Sequence, residues 1–170
     1  LPFELKSTDN KIISLDDIKG ENGTLIMFIC NHCPYVKAVT KEIVEDCNEL
    51  KKIGINSVAI CSNDAVNYPD DSFDNMIKFS KDNQFSFPYL QDETQDIAKA
   101  YDAVCTPDFF GYDKNLGLQY RGRLRELKNF VPVKDGKSDL LKAMKQIAET
   151  GKGPQDQIPS AGCGIKWKFD

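Results

Sequence analysis

The apolar residues of this chain follow two patterns, short unbroken runs and longer stretches with helical spacing. Residues 24–30 and 55–61 are apolar runs with the length of buried β-strands. Between them, apolar residues recur at helical spacing from Pro34 to Leu50, and Gly54 closes this helix. A proline is accommodated in the first helical turn because its missing N–H would have no partner there. This part of the chain therefore predicts a strand–helix–strand unit.

Shorter elements precede and follow this unit. Two short strands are predicted at residues 3–5 and 11–15, around a turn. The acidic stretch 64–74 predicts an ordinary solvated loop. Downstream, the pattern predicts in order a helix at 72–82, a strand at 87–90, a helix at 93–101, an antiparallel pair at 108–112 and 116–124, and a final helix at 138–149. This order predicts one α/β domain in which helices flank a central mixed sheet.

Composition limits the class of protein. The chain has 170 residues, of which 41% are hydrophobic and 28% charged, as in a globular domain that folds without disulfides or a metal. The net charge of −4 argues against nucleic acid or an anionic membrane as the main partner. No apolar run approaches the roughly 20 residues of a membrane span, and no signal-peptide pattern is visible. We therefore expect a cytoplasmic protein.

Six cysteines supply the candidate chemistry. Cys30 and Cys33, in the string Cys-Asn-His-Cys-Pro, stand where the first buried run gives way to the long helix. Backbone N–H groups and the helix dipole stabilise a thiolate at such a position, and the thiolate is the attacking species in thiol redox and peroxide chemistry. Cys47 and Cys61 fall inside a helix and a strand, so we expect both to be buried and inert.

The other two cysteines lie beside turn or loop signals, where a thiol can be reached. Cys105 is interpreted either as a third redox thiol or as a loop-packing residue. Cys163 is flanked by glycines near the end of the sequence, as a resolving cysteine often is, or it is an incidental tail thiol. A bridge from Cys163 to Cys33 costs little entropy only if the folded tail already lies near the site.

A buried strand, a cysteine at the mouth of the next helix and a Thr-Pro dipeptide before a late hairpin together resemble the thioredoxin fold. The resemblance implies that Thr106 and Pro107 form a cis peptide bond facing the active cysteine, with backbone groups free to hold a substrate. In this register Cys33, and not Cys30, occupies the helix-mouth position. The string Cys33-Pro34-Tyr35-Val36 is similar to the glutaredoxin motif C-P-Y-C with its second cysteine lost. The residues implied in substrate binding are His32, Pro34, Thr106 and Pro107.

The peroxiredoxin pattern P-x-x-x-T-x-x-C-P gives a second comparison. Cys33 and Pro34 match its reactive Cys-Pro, whereas Ile26 stands at its proline position and Cys30 at its threonine position. The threonine hydroxyl of that pattern normally binds the peroxide oxygens. These two departures favour disulfide exchange, while the peroxiredoxin-like grouping favours peroxide reduction, and both stay open.

Longer strings resemble the bacterial redoxin-like group of the thioredoxin-fold superfamily, which is of the AhpC/TSA, peroxiredoxin-like type. They are residues 27–36, 62–64, 68–72, 101 with 104–110, 120–124 and 162–168. The resemblance implies a thioredoxin-like domain at 1–153 with extra N-terminal strands, and a tail at 154–170 that carries Cys163 and docks on that domain. Peroxiredoxin-like proteins often dimerise, so a homodimer is a further expectation, although no stripe of residues marks an interface.

Together these observations favour an antioxidant, thiol-based oxidoreductase that needs no cofactor. Cys33 attacks a disulfide or a peroxide; Cys30, Cys105 or Cys163 resolves the adduct; and a dithiol such as a thioredoxin reduces the enzyme. His32, the sole histidine, either lowers the pKa of Cys33 or lies on the surface and touches partners. The arginines at 121, 123 and 125 are expected on a solvated strand face, with one approaching the thiolate as the alternative.

Two other classes of function compete with this one. Cys30, His32, Cys33 and Cys163 offer thiolate and imidazole ligands for Zn²⁺ or Cu(I), which predicts metal binding without redox turnover. The other alternative is an interaction module that has lost its activity. Cysteines retained at four loop sites argue against that last interpretation.

Overall fold

A seven-stranded mixed sheet forms the centre of the protein, in the order β2-β1-β5-β4-β3-β7-β8. The computed structural model describes residues 2–133 and 137–168. The strands of this sheet are β1 Glu4–Ser7, β2 Ile12–Ser14, β3 Gly23–Phe28, β4 Ile55–Cys61, β5 Tyr89–Gln91, β7 Asp108–Tyr112 and β8 Leu118–Gly122. Two small pairs lie outside it, β9 Leu127–Lys128 with β10 Val131–Pro132, and β6 Cys105–Thr106 with β11 Cys163–Gly164.

Helices cover both faces of the sheet. They are α1 Leu15–Ile18, α2 Pro34–Lys51, α3 Phe73–Asp82, α4 Asp96–Tyr101 and α5 Asp139–Thr150, together with a 3₁₀ turn at Pro69–Asp71. The predicted central mixed sheet with flanking helices is therefore confirmed. The two N-terminal strands are also confirmed, as an antiparallel pair at the edge of the sheet.

All six residues of β3 are buried, because successive side chains point into two apolar layers. Leu25 and Met27 pack in the layer that contains the buried faces of α2 and α5. Ile26 and Phe28 pack in the opposite layer, with the buried residues of α1 and α4. The unbroken apolar run in the sequence is thus explained by a strand covered on both faces.

Pairing within the sheet brings the site together. β3 runs parallel to β4 and antiparallel to β7, and Phe28 at the end of β3 pairs with Asp108 at the start of β7. Residues just after β3 therefore lie beside residues just before β7. Within residues 2–133 and 137–168, no helix combines the length and apolar character needed to cross a membrane.

The hydrophobic pattern did not predict helix α1. It has four residues, too few for helical periodicity to appear in the sequence. A capping box holds its start: Asp17 N–H donates to Ser14 Oγ at 3.2 Å, and Ser14 N–H donates to Asp17 Oδ2 at 2.9 Å. Its buried Leu15 and Ile18 belong to the second apolar layer.

The core packing gives a stability prediction. Phe28 is fully buried, and its ring centroid lies 5.7 Å from that of Phe110 and 6.0 Å from that of Tyr101. Phe28→Ala should lower the free energy of unfolding by about 3–5 kcal/mol, measured by urea denaturation, because it removes an aromatic contact and leaves a cavity. Val66→Ala, at a side chain that is 83% exposed, is the control and should change it by less than about 0.5 kcal/mol. Similar losses for the two variants would contradict this account of the core.

Candidate active site

Cys33 occupies the N-cap of α2, and Pro34 is the first helical residue. The backbone at Cys33 is extended, with φ −67° and ψ 128°, and Lys37 N–H donates to Cys33 O at 2.9 Å. The side chain of Cys33 has no exposed surface. Its sulfur therefore lies at the positive end of a long helix but out of contact with bulk water.

The segment facing Cys33 contains the cis peptide bond between Thr106 and Pro107, which confirms the expected isomer. Cys33 Sγ lies 3.4 Å from Thr106 O, and Cys30 Sγ lies 3.4 Å from Thr106 Oγ1. Both cysteines of the Cys-Asn-His-Cys string thus contact the residue before the cis proline.

Cys163 lies on the other side of Cys33, with 2.8 Å between the two sulfur atoms. The strand pair β6–β11 holds it there, since Cys163 pairs with Thr106 and Gly164 with Cys105 in antiparallel register. All six cysteines are free thiols. The structure therefore brings together Cys30, Cys33 and Cys163, although 130 positions separate the last two along the chain.

Hydrogen bonds decide which of the three sulfurs is charged. Hydrogen bonding with Cys30 is the largest cause that lowers the pKa of Cys33 well below the ordinary thiol value. Burial opposes this effect, and the Cys163 thiol adds a second donor. The same bond to Cys33, together with burial, raises the pKa of Cys30, while burial raises the pKa of Cys163 to about 11. These directions favour the thiolate form at Cys33 and the thiol form at Cys30 and Cys163.

The remaining cysteines lie outside this group of three sulfurs. Cys47 and Cys61 are buried as predicted, and burial raises the pKa of each thiol to about 12. Cys105 Sγ donates to Pro107 O at 3.7 Å and to Ser160 O at 3.9 Å, and burial raises its pKa to about 11. These contacts favour the loop-packing interpretation of Cys105 over that of a redox thiol.

The sequence pattern did not indicate that Asp71 is buried and accepts several hydrogen bonds beside the cysteines. Its carboxylate is almost fully buried and accepts from Asn31 N–H at 2.8 Å and from Asn63 Nδ2 at 2.9 Å. The expectation of an ordinary solvated loop at 64–74 was wrong here and at Asp64, which is also buried. The only signal for Asp71 was its position inside the string 68–72 that resembles the redoxin-like group.

Asp71 also fixes His32. His32 Nδ1 lies 2.7 Å from Asp71 Oδ2, and the His32 ring is parallel to that of Tyr68, with 6.4 Å between ring centroids. The imidazole is partly exposed, and its Nδ1 side lies against the buried carboxylate. Asn31, between the two cysteines, is held by Tyr89, whose hydroxyl donates to Asn31 Oδ1 at 2.8 Å.

The metal ligands expected from the sequence do not form one group. In the described part of the chain, the atoms that could share an ion are Cys30 Sγ, His32 Nδ1 and a carboxylate oxygen of Asp71, all within 4.8 Å of one another. Cys33 and Cys163 are not in this group. A mixed sulfur, nitrogen and oxygen ligand set suits Zn²⁺ better than Cu(I), which prefers sulfur.

Each of the arginines at 121, 123 and 125 makes an ion pair. Arg121 pairs with Asp108 at 3.2 Å and Arg123 with Asp139 at 2.7 Å. Arg125 pairs with Glu42 at 2.5 Å, and both of these side chains are largely buried. The expected solvated face is therefore wrong for Arg125, which links the end of β8 to α2.

The C-terminal tail is bound along the site. Ile165 N–H donates to Val104 O at 3.0 Å, and Lys166 N–H donates to Asn63 Oδ1 at 2.9 Å. Lys166 O accepts from Asp64 N–H at 2.8 Å and from Gln95 Nε2 at 2.9 Å. The boundary between residues 153 and 154 stays a prediction.

This geometry, a helix-mouth cysteine facing a cis proline on a mixed sheet, is that of a thioredoxin-fold protein. The model of the AhpC/TSA family matches residues 1–126. The chain belongs to the AhpC/TSA family, as the resemblance implied, and this membership supports a redox function on a thioredoxin fold.

Solved structures agree with this assignment. An uncharacterized conserved protein from Geobacillus kaustophilus is 45% identical with a TM-score of 0.93, covering 100% of this chain and 90% of that one. A hypothetical protein from Sinorhizobium meliloti 1021 is 32% identical with a TM-score of 0.92, covering 100% and 93%. Peroxidoxin BcpB from Mycobacterium tuberculosis shares the fold at 14% identity and a TM-score of 0.59, covering 87% and 89%. No curated protein matches the chain.

The hydrogen bond from Cys30 gives a prediction about ionisation. Cys30→Ala removes a donor to a buried thiolate, so the apparent pKa of Cys33 should rise by about 1 to 2. Thiolate ultraviolet absorbance of the reduced protein, followed against pH, measures this without requiring access to the sulfur. Cys47→Ala is the matched control and should leave the curve unchanged at neutral pH. A curve for Cys30→Ala that overlays that of the unaltered protein would contradict the role of Cys30 as a donor.

Proposed function

We propose that this protein is a two-cysteine thiol oxidoreductase in which Cys33 is the nucleophile and Cys163 resolves the adduct. The observation that supports this most directly is the 2.8 Å separation of their sulfur atoms across the β6–β11 pair. A covalent bridge needs about 2.05 Å between sulfurs, so the two are near bonding distance without being bonded. Cys30 then acts as a hydrogen-bond donor to the thiolate.

The proposed cycle with a disulfide has two exchange steps. The Cys33 thiolate attacks one sulfur of the substrate, a Cys33–substrate disulfide forms, and the other substrate sulfur leaves as a thiolate that takes up a proton. Cys163 then loses its proton and attacks Cys33 Sγ, which forms the Cys33–Cys163 disulfide and releases the second substrate thiol. Two electrons pass from the protein to the substrate. A dithiol such as a thioredoxin restores both thiols by the same exchange.

The peroxide version differs only in its first step. The Cys33 thiolate attacks one peroxide oxygen, which gives a sulfenic acid and releases an alcohol or water; Cys163 then displaces water to form the same bridge. AhpC/TSA membership favours this version. Cys30 in place of the peroxidatic threonine favours disulfide exchange. A cytoplasmic location, a homodimer and the thioredoxin-type reductant stay predictions.

Stopped-flow fluorescence tests this proposal, with Trp167, the only tryptophan, as the reporter in the tail. The reduced protein is mixed with hydrogen peroxide or with a small disulfide, and the bridges are mapped by mass spectrometry. Cys33→Ser should abolish both reactions, and Cys163→Ser should stop the cycle at the sulfenic acid or mixed disulfide. Cys105→Ser is the control and should complete the cycle. The substrate with the faster first step identifies the activity, and a mapped Cys30–Cys33 bridge would contradict the role of Cys163.

A second candidate function is metal binding, which is favoured by the cluster of Cys30, His32 and Asp71. His32 Nδ1 is buried yet makes no hydrogen bond in the described part of the chain, because its close approach to Asp71 lacks hydrogen-bond direction. Such an atom fits a metal ligand. We propose Zn²⁺ as the ion, held by one thiolate, one imidazole and one carboxylate.

Cobalt titration tests the metal site, because a Co²⁺–thiolate bond gives a near-ultraviolet absorption band. The unaltered protein should show this band, and Asp71→Asn should weaken Co²⁺ binding by at least about tenfold. Asp70→Asn makes the same change of charge at an exposed neighbour and should bind as the unaltered protein does. Since His32 is the only histidine, its ring resonances report binding separately. Equal binding by the two variants, without a thiolate band, would exclude this site.

A further inference from the structure

Residues 162–166 of the tail, here called the strap, lie where an extended peptide would lie beside Cys33. The strap contributes β11, which pairs in antiparallel register with β6, the strand next to the cis proline. Cys163 stands opposite Thr106, the residue that Cys33 contacts. The strap therefore has the backbone geometry of a strand-addition ligand, in which main-chain bonds provide affinity and side chains provide selectivity.

Polar contacts hold the strap on both sides of its cysteine. Before it, Ser160 Oγ donates to Pro107 O at 2.5 Å, and Arg123 N–H donates to Ile158 O at 2.8 Å. After it, Ile165 and Lys166 make the backbone bonds described above. Beneath the strap, Cys33 has no exposed surface and Cys30 only 1%. With the strap in place, no solute larger than water has a surface of Cys33 to contact.

We propose that the strap is a gate. A polypeptide disulfide reaches Cys33 only after β11 leaves β6, and the polypeptide then pairs with the exposed edge of β6 in place of the strap. When the strap returns to β6, it displaces the polypeptide, still linked to Cys33, from that edge and brings Cys163 to Cys33, so the element that excludes the substrate also delivers the resolving thiol. The shielding part of this inference stands alone, whereas the exchange part rests on the proposed function.

The strap also indicates which peptides fit. A Cβ atom added at Gly162 would lie 2.2 Å from Thr106 O, a backbone atom that cannot turn aside, so the residue before the docked cysteine must be glycine. A Cβ at Gly164 would have no atom within 4 Å, so the next position is unrestricted. Ile165, only 5% exposed, packs in the second apolar layer. The partner is thus an extended segment of the form Gly-Cys-x-aliphatic.

These two glycines provide a matched pair of variants. Gly162→Ala should push the strap off Thr106, whereas Gly164→Ala adds the same methyl group at an open position of the same strand. The reduced proteins are treated with iodoacetamide, and alkylation of Cys33 is followed by mass spectrometry. Because the reactivity of a protected group follows the population of its open form, Gly162→Ala should react about tenfold faster or more, and Gly164→Ala within about twofold of the unaltered protein.

A second releasing variant and a peptide separate the two parts of the inference. Ile165→Ser weakens the packing of the strap at a position distant from the sulfurs, so it should also speed alkylation of Cys33. Circular dichroism confirms that each variant is folded. The Gly162→Ala protein is then mixed with a synthetic peptide of residues 160–168 whose cysteine carries a chromophoric thiol as a disulfide. This variant should release the chromophore faster than the unaltered protein does. It should also release it faster from this peptide than from a peptide with Ala before the cysteine.

Each outcome has one meaning. Folded Gly162→Ala and Ile165→Ser proteins that are alkylated as slowly as the unaltered protein would overturn the gate, whatever the redox activity. Equal acceleration by Gly164→Ala would overturn the steric argument at Gly162. Faster alkylation without chromophore release would retain the shielding role and reject disulfide exchange at Cys33. Equal release from the Gly and Ala peptides would reject the proposed peptide selectivity.

Discussion

A thiolate held away from bulk water must be satisfied by protein donors, and this constraint shapes the site around Cys33. The sulfur lies at the N-terminus of α2, where the helix dipole favours negative charge. Hydrogen bonding with Cys30 and with Cys163 lowers the pKa of this sulfur. The ionisation of Cys33 therefore depends on the start of α2, on Cys30 just before it, and on Cys163 in the tail.

Strand order explains why three segments of the chain meet at Cys33, namely the residues after β3, those before β7, and the tail. Because β3 and β7 are adjacent and antiparallel, the end of β3 and the segment before β7 lie side by side. Cys30 and Cys33 follow β3, and Thr106 precedes β7, so the contact between them follows from strand order. The tail adds the third part by pairing with β6, and buried Asp71 holds the turn between Cys30 and Cys33 from beneath.

The sequence predicted the parts of this arrangement that depend on local pattern. The runs at 24–30 and 55–61, the helix after Pro34 and the cis bond before Pro107 all follow from hydrophobic period or motif. The buried role of Asp71 was not predictable in the same way, because Asp in a polar stretch is usually solvated and only tertiary packing supplies its amide donors. The glycines beside Cys163 made it a candidate resolving cysteine, but its contact with Cys33 depends on the path of the tail, which is fixed by backbone hydrogen bonds that leave no composition signal.

The position of Cys163 has a consequence for the whole chain. A covalent link between residues 130 positions apart would enclose α2, α5 and most of the sheet within one ring. Closing a ring of that size lowers the conformational entropy of the unfolded chain. In the loop-entropy description this raises the free energy of unfolding by about 5 kcal/mol. Oxidation would then make the protein harder to unfold. A reductant that opens the ring would return it to the less stable reduced form. The resistance of the protein to unfolding would therefore depend on whether it had recently been oxidised.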